Sequence, residues 1–151
     1  MTTIPTVDRG VAVVLTAAVG GILALQAPIN AQLGRATGSL AAALVSFTIG
    51  TIALAVVVAA AGDAGGLKFT FDVEWYYLIG GLLGAVYVTT ALITVKTIGA
   101  GGVAAATITG QLVASMAIDK MGAFGLEETP ITAERLAGVV LLLVGTYLIV
   151  R

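Results

Sequence analysis

Histidine and cysteine are absent from the 151 residues, and charge is scarce: seven Lys or Arg and eight Asp or Glu make up 10% of the chain. Lack of cysteine excludes disulfides, thiol nucleophiles and thiolate metal sites, and lack of histidine excludes imidazole bases and imidazole ligands to zinc or haem. No metal and no cofactor is expected, and the chain is not expected to be an enzyme. Asp63, Asp72, Glu74, Glu127 and Glu128 lie between apolar runs, where solvated loop residues belong. Of three prolines, only Pro28 falls inside such a run.

What the chain has instead is apolar length. Five stretches carry no charge at all: Gly10–Gly34, Ala36–Gly62, Trp75–Val95, Thr97–Ile118 and Leu136–Val150. A bilayer's hydrocarbon core is about 30 Å thick and is crossed by roughly 20 apolar residues in a helix. Four stretches reach that length, and the fifth does so once extended back to Ile131, because Glu134 and Arg135 in its first turn can turn their charged ends toward the headgroups. Buried helices in a soluble protein would need a polar outer surface, and the composition does not supply one.

The expected fold is therefore all-α, an integral membrane protein forming a single domain over 1–151, with five transmembrane helices at about 10–33, 40–61, 75–95, 101–119 and 131–150. The first run is too long for the apolar region of a cleavable signal and follows a neutral Asp8-Arg9 pair, so it is read as a retained span. The longest connection, Gly62 to Glu74, holds a Gly-Asp-Ala-Gly-Gly turn cluster, and Trp75, Tyr76 and Tyr77 then open the third span where an aromatic belt lies.

Five spans place the termini on opposite sides. The amino-terminal side collects Arg9, Lys68, Lys120 and Arg135, and the other side Arg35, Lys96 and Arg151. Insertion direction follows the Lys and Arg excess in cytoplasmic loops, so this near tie leaves orientation weakly specified and both directions open. All eight acids fall on the amino-terminal side.

Polar groups deep in a span turn inward to a partner or to water. Gln26 and Asn30 are four residues apart on one helix face, with Pro28 between them freeing the carbonyl of Ala24. They either line a site or bind neighbouring helices and headgroup water. In the fourth span Thr107, Gln111, Ser115 and Asp119 recur every four residues as one polar stripe. Gln111, near mid-span, either bonds another helix or lines a wet cavity. Asp119 is either a local ion pair with Lys120 or a proton or cation relay. Tyr87 either stacks on a solute or makes a structural hydrogen bond. Gly80 and Gly84 read as helix packing, as do Gly102, Ala106 and Gly110, and Gly138 with Gly145; either of the last two sets could form a dimer seam.

The segments Gln26-Ala-Pro-Ile-Asn30, Gly80-Gly-Leu-Leu-Gly84-Ala, Gly110-Gln111, Ile118-Asp119-Lys-Met-Gly122 and Arg135-Leu-Ala-Gly138, in this order, resemble the YdcZ family of five-span bacterial inner-membrane proteins, within the drug/metabolite transporter superfamily. The resemblance implies an exporter-like protein working as oppositely oriented pairs, as dual-topology copies of one chain, or as a fused two-half protein. Small multidrug transporters, a related group, carry a glutamate in their first helix, where this chain has only Gln26 and Asn30; proton-coupled export of hydrophobic cations by that route is not expected.

Many transporters are built from inverted repeats, and two copies inserted head to tail would supply them. The expectation is an antiparallel homodimer, a ten-helix bundle in the bilayer, with Gln26, Asn30, Tyr87, Thr107, Gln111 and Ser115 as substrate-binding residues and Asp119 as a relay. It would move a small polar or weakly charged solute by alternating access, with no nucleic acid partner. A dual-topology dimeric channel and a non-transporting membrane scaffold are the alternatives.

Overall fold

The computed structural model describes residues 8–151, so residues 1–7 of the expected domain lie outside it. The described residues are helical, with no strand among them. The helices are α1 (Arg9–Leu23), α2 (Gln26–Thr37), α3 (Ser39–Ala61), α4 (Gly80–Met121) and α5 (Ala133–Val150), with 3₁₀ turns at Asp63–Phe69, Trp75–Ile79 and Ala123–Gly125.

Four helical stretches among the described residues are long and apolar enough to cross a membrane: Arg9–Thr37, Ser39–Ala61, Trp75–Met121 and Ala133–Val150. The second and fourth of these stretches match expected spans closely. The expected spans 75–95 and 101–119 fall within the third stretch, whose one non-helical residue is Gly99, at φ 71° and ψ 170°. That backbone conformation is essentially restricted to glycine.

Local chemistry sets the ends. Asp8 caps α1, its Oδ1 accepting from the amides of Gly10 and Val11 at 2.8 and 3.3 Å. Between α1 and α2 the ladder tightens, the Leu25 amide donating to the Ile22 carbonyl, and Pro28 just beyond has no amide hydrogen for the carbonyl of Ala24. Gly62 ends α3 in the left-handed region at φ 70°. Thr132 caps α5, accepting from the Arg135 amide at 3.3 Å.

Internal packing groups the chain into two compact units, residues 26–96 and the two segments 1–25 and 97–151. In the first, small residues let α2 and α3 approach closely: Ala42 has no exposed surface, and Ala31, Gly34 and Ala43 are buried. A methyl group added to Gly34 would rest 3.6 Å from Leu92 and 3.7 Å from Ala42, so the backbone there is at contact distance. Leu92, fully buried, and Val88 and Ala91 recur at helical spacing on α4. In the second unit the buried residues are Gly102, Val103, Thr109, Met116 and Val139.

Elsewhere large apolar side chains face outward along whole helices, Leu40 at 75% and Leu141 at 71% exposure among them. No residue of α1 is buried. Such a surface is stable where hydrocarbon surrounds it, since apolar side chains are then not in contact with water.

Candidate functional site

The seven residues singled out by polarity divide between the units. Gln26, Asn30 and Tyr87 belong to residues 26–96, and Thr107, Gln111, Ser115 and Asp119 to residues 97–151.

In the first set Asn30 stands out. It is buried, and its Nδ2 has no hydrogen-bond partner. Ala31 and Gly34, buried with it on α2, carry no polar side chain that could accept from it. A buried donor left without an acceptor costs about 1–3 kcal/mol, which native folds rarely accept without a reason. Gln26 is half-buried at the first residue of α2, and Tyr87 is 39% exposed on α4. Gly84, expected to pack, would bring a methyl group 3.3 Å from the Phe47 ring, whereas Gly80 has open space beside it.

The stripe on α4 is not uniform. Thr107 is half-buried, and Ser115 donates to the Leu112 carbonyl at 3.0 Å, a bond within its own helix. Gln111 is exposed, and its side-chain amide makes no hydrogen bond within the described residues. It sits in the middle of the helical segment that follows Gly99. Asp119 is hydrogen-bonded through Oδ2 to the guanidinium of Arg135 at 2.5 Å, the one ion pair among the described residues. Its partner is thus Arg135 and not the neighbouring Lys120.

That ion pair is part of a clasp. The Asp119 carbonyl accepts from the Thr129 amide at 2.9 Å, and the second guanidinium nitrogen of Arg135 reaches the Pro130 carbonyl. Gly122 makes the turn possible: its φ is 57°, and a methyl group there would lie 2.8 Å from Glu128 Cγ. The clasp holds the end of α4 to the start of α5. Arg135 takes up Asp119 Oδ2, while the Asp119 side chain stays 29% exposed.

One feature was not singled out by sequence. The Thr109 and Thr146 hydroxyl oxygens lie 2.7 Å apart and 2.8 and 3.1 Å from the Ala105 carbonyl oxygen, a cluster held by their two protons. Single threonines in apolar helices give no pairing signal until the helices are set side by side. Of the glycine ladders, Gly102 is packed, with Val150 3.3 Å from an added methyl group, while Gly110, Gly138 and Gly145 have nothing within 4 Å.

No curated protein and no solved structure matches the chain. The family model described as "Putative inner membrane exporter, YdcZ" matches residues 11–148. Together with four apolar helices long enough to span a bilayer, a match over nearly the whole length makes this chain a member of the YdcZ family and a multi-pass protein of the inner membrane.

Proposed function

We propose that two copies of the chain, inserted in opposite directions, carry a small polar or weakly charged solute across the inner membrane by alternating access. The observation that bears most weight is Gln111. A mid-span amide facing hydrocarbon without a partner costs several kcal/mol, and the Gln111 side chain is exposed and unbonded within the described residues. A surface that carries it is best covered by protein or by a polar solute. Open space beside Gly110 on the same helix lets another backbone come close.

Three further points support the reading. The unpaired Asn30 donor fits a solute bearing a carbonyl, hydroxyl or carboxylate oxygen. No basic side chain lies mid-span to meet a dianion, which favours a neutral or weakly charged cargo. The near tie of Lys and Arg permits both orientations.

Length favours five spans. Forty-two helical residues extend about 63 Å at 1.5 Å each, twice the hydrocarbon thickness. A turn at Gly99 would divide α4 into two spans of ordinary length, five per chain, and two chains inserted head to tail would then form an inverted repeat.

Cells expressing the chain or its Gln111→Leu variant at equal membrane levels, challenged with a panel of small polar toxic solutes, test this. Protection by the parent chain that the variant loses is the expected result. Equal protection by both would remove Gln111 from the transport path, and a unitary current in planar bilayers would replace the carrier with a pore.

A further inference from the structure

Beside the Asp119–Arg135 clasp, the second half of α4 and the start of α5 enclose a groove of about 520 Å³, open along one side. Val113, Met116 and Ala117 form one wall and Leu136 and Val139 the other, with Lys120 the one charged residue lining it. Lys120 is next to the last residue of α4, so it stands at the end of the groove nearest the connecting loop. Val113 lies seven residues deeper, about 10 Å along the helix. The groove therefore starts at a cation near the headgroup level and runs toward the membrane interior between apolar walls.

Among the described residues Lys120 makes no ion pair at the groove's mouth. Asp119, the nearest acid in sequence, is taken up by Arg135, and no other ion pair exists among the described residues. The Lys120 ammonium is left without an acidic partner beside a slot that holds no polar side chain to bind water.

We propose that this groove is a binding site for an anionic phospholipid of the surrounding bilayer, one acyl chain lying between α4 and α5 and the headgroup phosphate paired with Lys120. Charge complementarity selects the anionic headgroup, and the two apolar walls select a hydrocarbon tail over a free anion, which would bind the lysine without filling the slot. The site is distinct from the Gln111 face and stands or falls independently of the transport reading.

Native mass spectrometry of the purified full-length protein in detergent tests the assignment, with phosphatidylglycerol and phosphatidylcholine of identical acyl chains as probes. Phosphatidylglycerol should bind more tightly, and Lys120→Gln should reduce its affinity about fivefold, the effect of one lysine near an anionic surface, while leaving phosphatidylcholine unchanged. Lys120→Arg should restore the preference. Ala117→Trp, which fills the groove from a position already exposed, should lower retention of both lipids without lowering the melting temperature. Equal binding of the two lipids by the parent protein, or a preference that survives Lys120→Gln, overturns the proposal. So does an Ala117→Trp variant that keeps its lipids and changes only its dimer content, which would assign the groove to a second copy.

Discussion

Residues 26–96 and residues 97–151 hold their helices together by different means. In the first unit the contacts are dry and small: Gly34, Ala42 and Ala43 bring α2 and α3 to backbone contact, and Leu92 is fully buried. In the second they are polar: Thr109 with Thr146, and Asp119 with Arg135. Both solve the same problem. Lipid tails are as apolar as leucine, so association within the bilayer must come from close packing or from hydrogen bonds. The packed unit has little tolerance for added volume, and the hydrogen-bonded one should lose its links in smaller steps.

The sharpest break of this contrast is Ala42→Leu. With no exposed surface at Ala42, three extra carbons must displace α2 or Leu92, at about 1–3 kcal/mol, and the melting temperature of the detergent-solubilised protein should fall markedly. If it does not, the α2–α3 contact is looser than described.

Asn30→Leu acts in the same unit with the opposite sign. It replaces the amide by an apolar group of the same branching, removes the unpaired donor, and should raise stability by about 1 kcal/mol while abolishing solute protection. Loss of both stability and protection would mean that Asn30 has a structural partner.

In the second unit Asp119→Ala should cost at most about 1 kcal/mol, since the paired side chains are 33% and 29% exposed. A double-mutant cycle with Arg135→Ala isolates the coupling between the two. Asp119→Asn also separates clasp from relay: transport that keeps its pH dependence in this variant excludes a proton relay at this position. The smallest effect belongs to Thr146→Val, about 0.6 kcal/mol for one interhelical hydrogen bond, read as a small drop in melting temperature. A large drop there would show that the second unit depends on its hydroxyl pair more than on packing.

The apolar helices were legible in the sequence because lipid permits long uncharged runs that water does not. The boundaries of α3 and α5 fell within a few residues of expectation, since Gly38 and Gly62 punctuate one and Thr132 caps the other. The interruption of Trp75–Met121 was legible too: Lys96 and the glycines after it separate the expected spans 75–95 and 101–119, and the non-helical Gly99 falls in that gap. The polar stripe on α4 was visible as a four-residue period, but period alone cannot distinguish Ser115, its side chain bonded within its helix, from Gln111, whose side chain is unpaired among the described residues. Pairings distant in sequence were the least legible. Asp119 sits beside Lys120 in the chain, and only the return of α5 brings Arg135 to it.

Transport as proposed needs two copies lying in opposite directions in one membrane. Because the chain has no native cysteine, an Arg151→Cys variant carries a single reporter at the carboxyl terminus, and a membrane-impermeant maleimide can be applied from either face of sealed vesicles. Comparable labelling from both faces is predicted, and labelling confined to one face contradicts it.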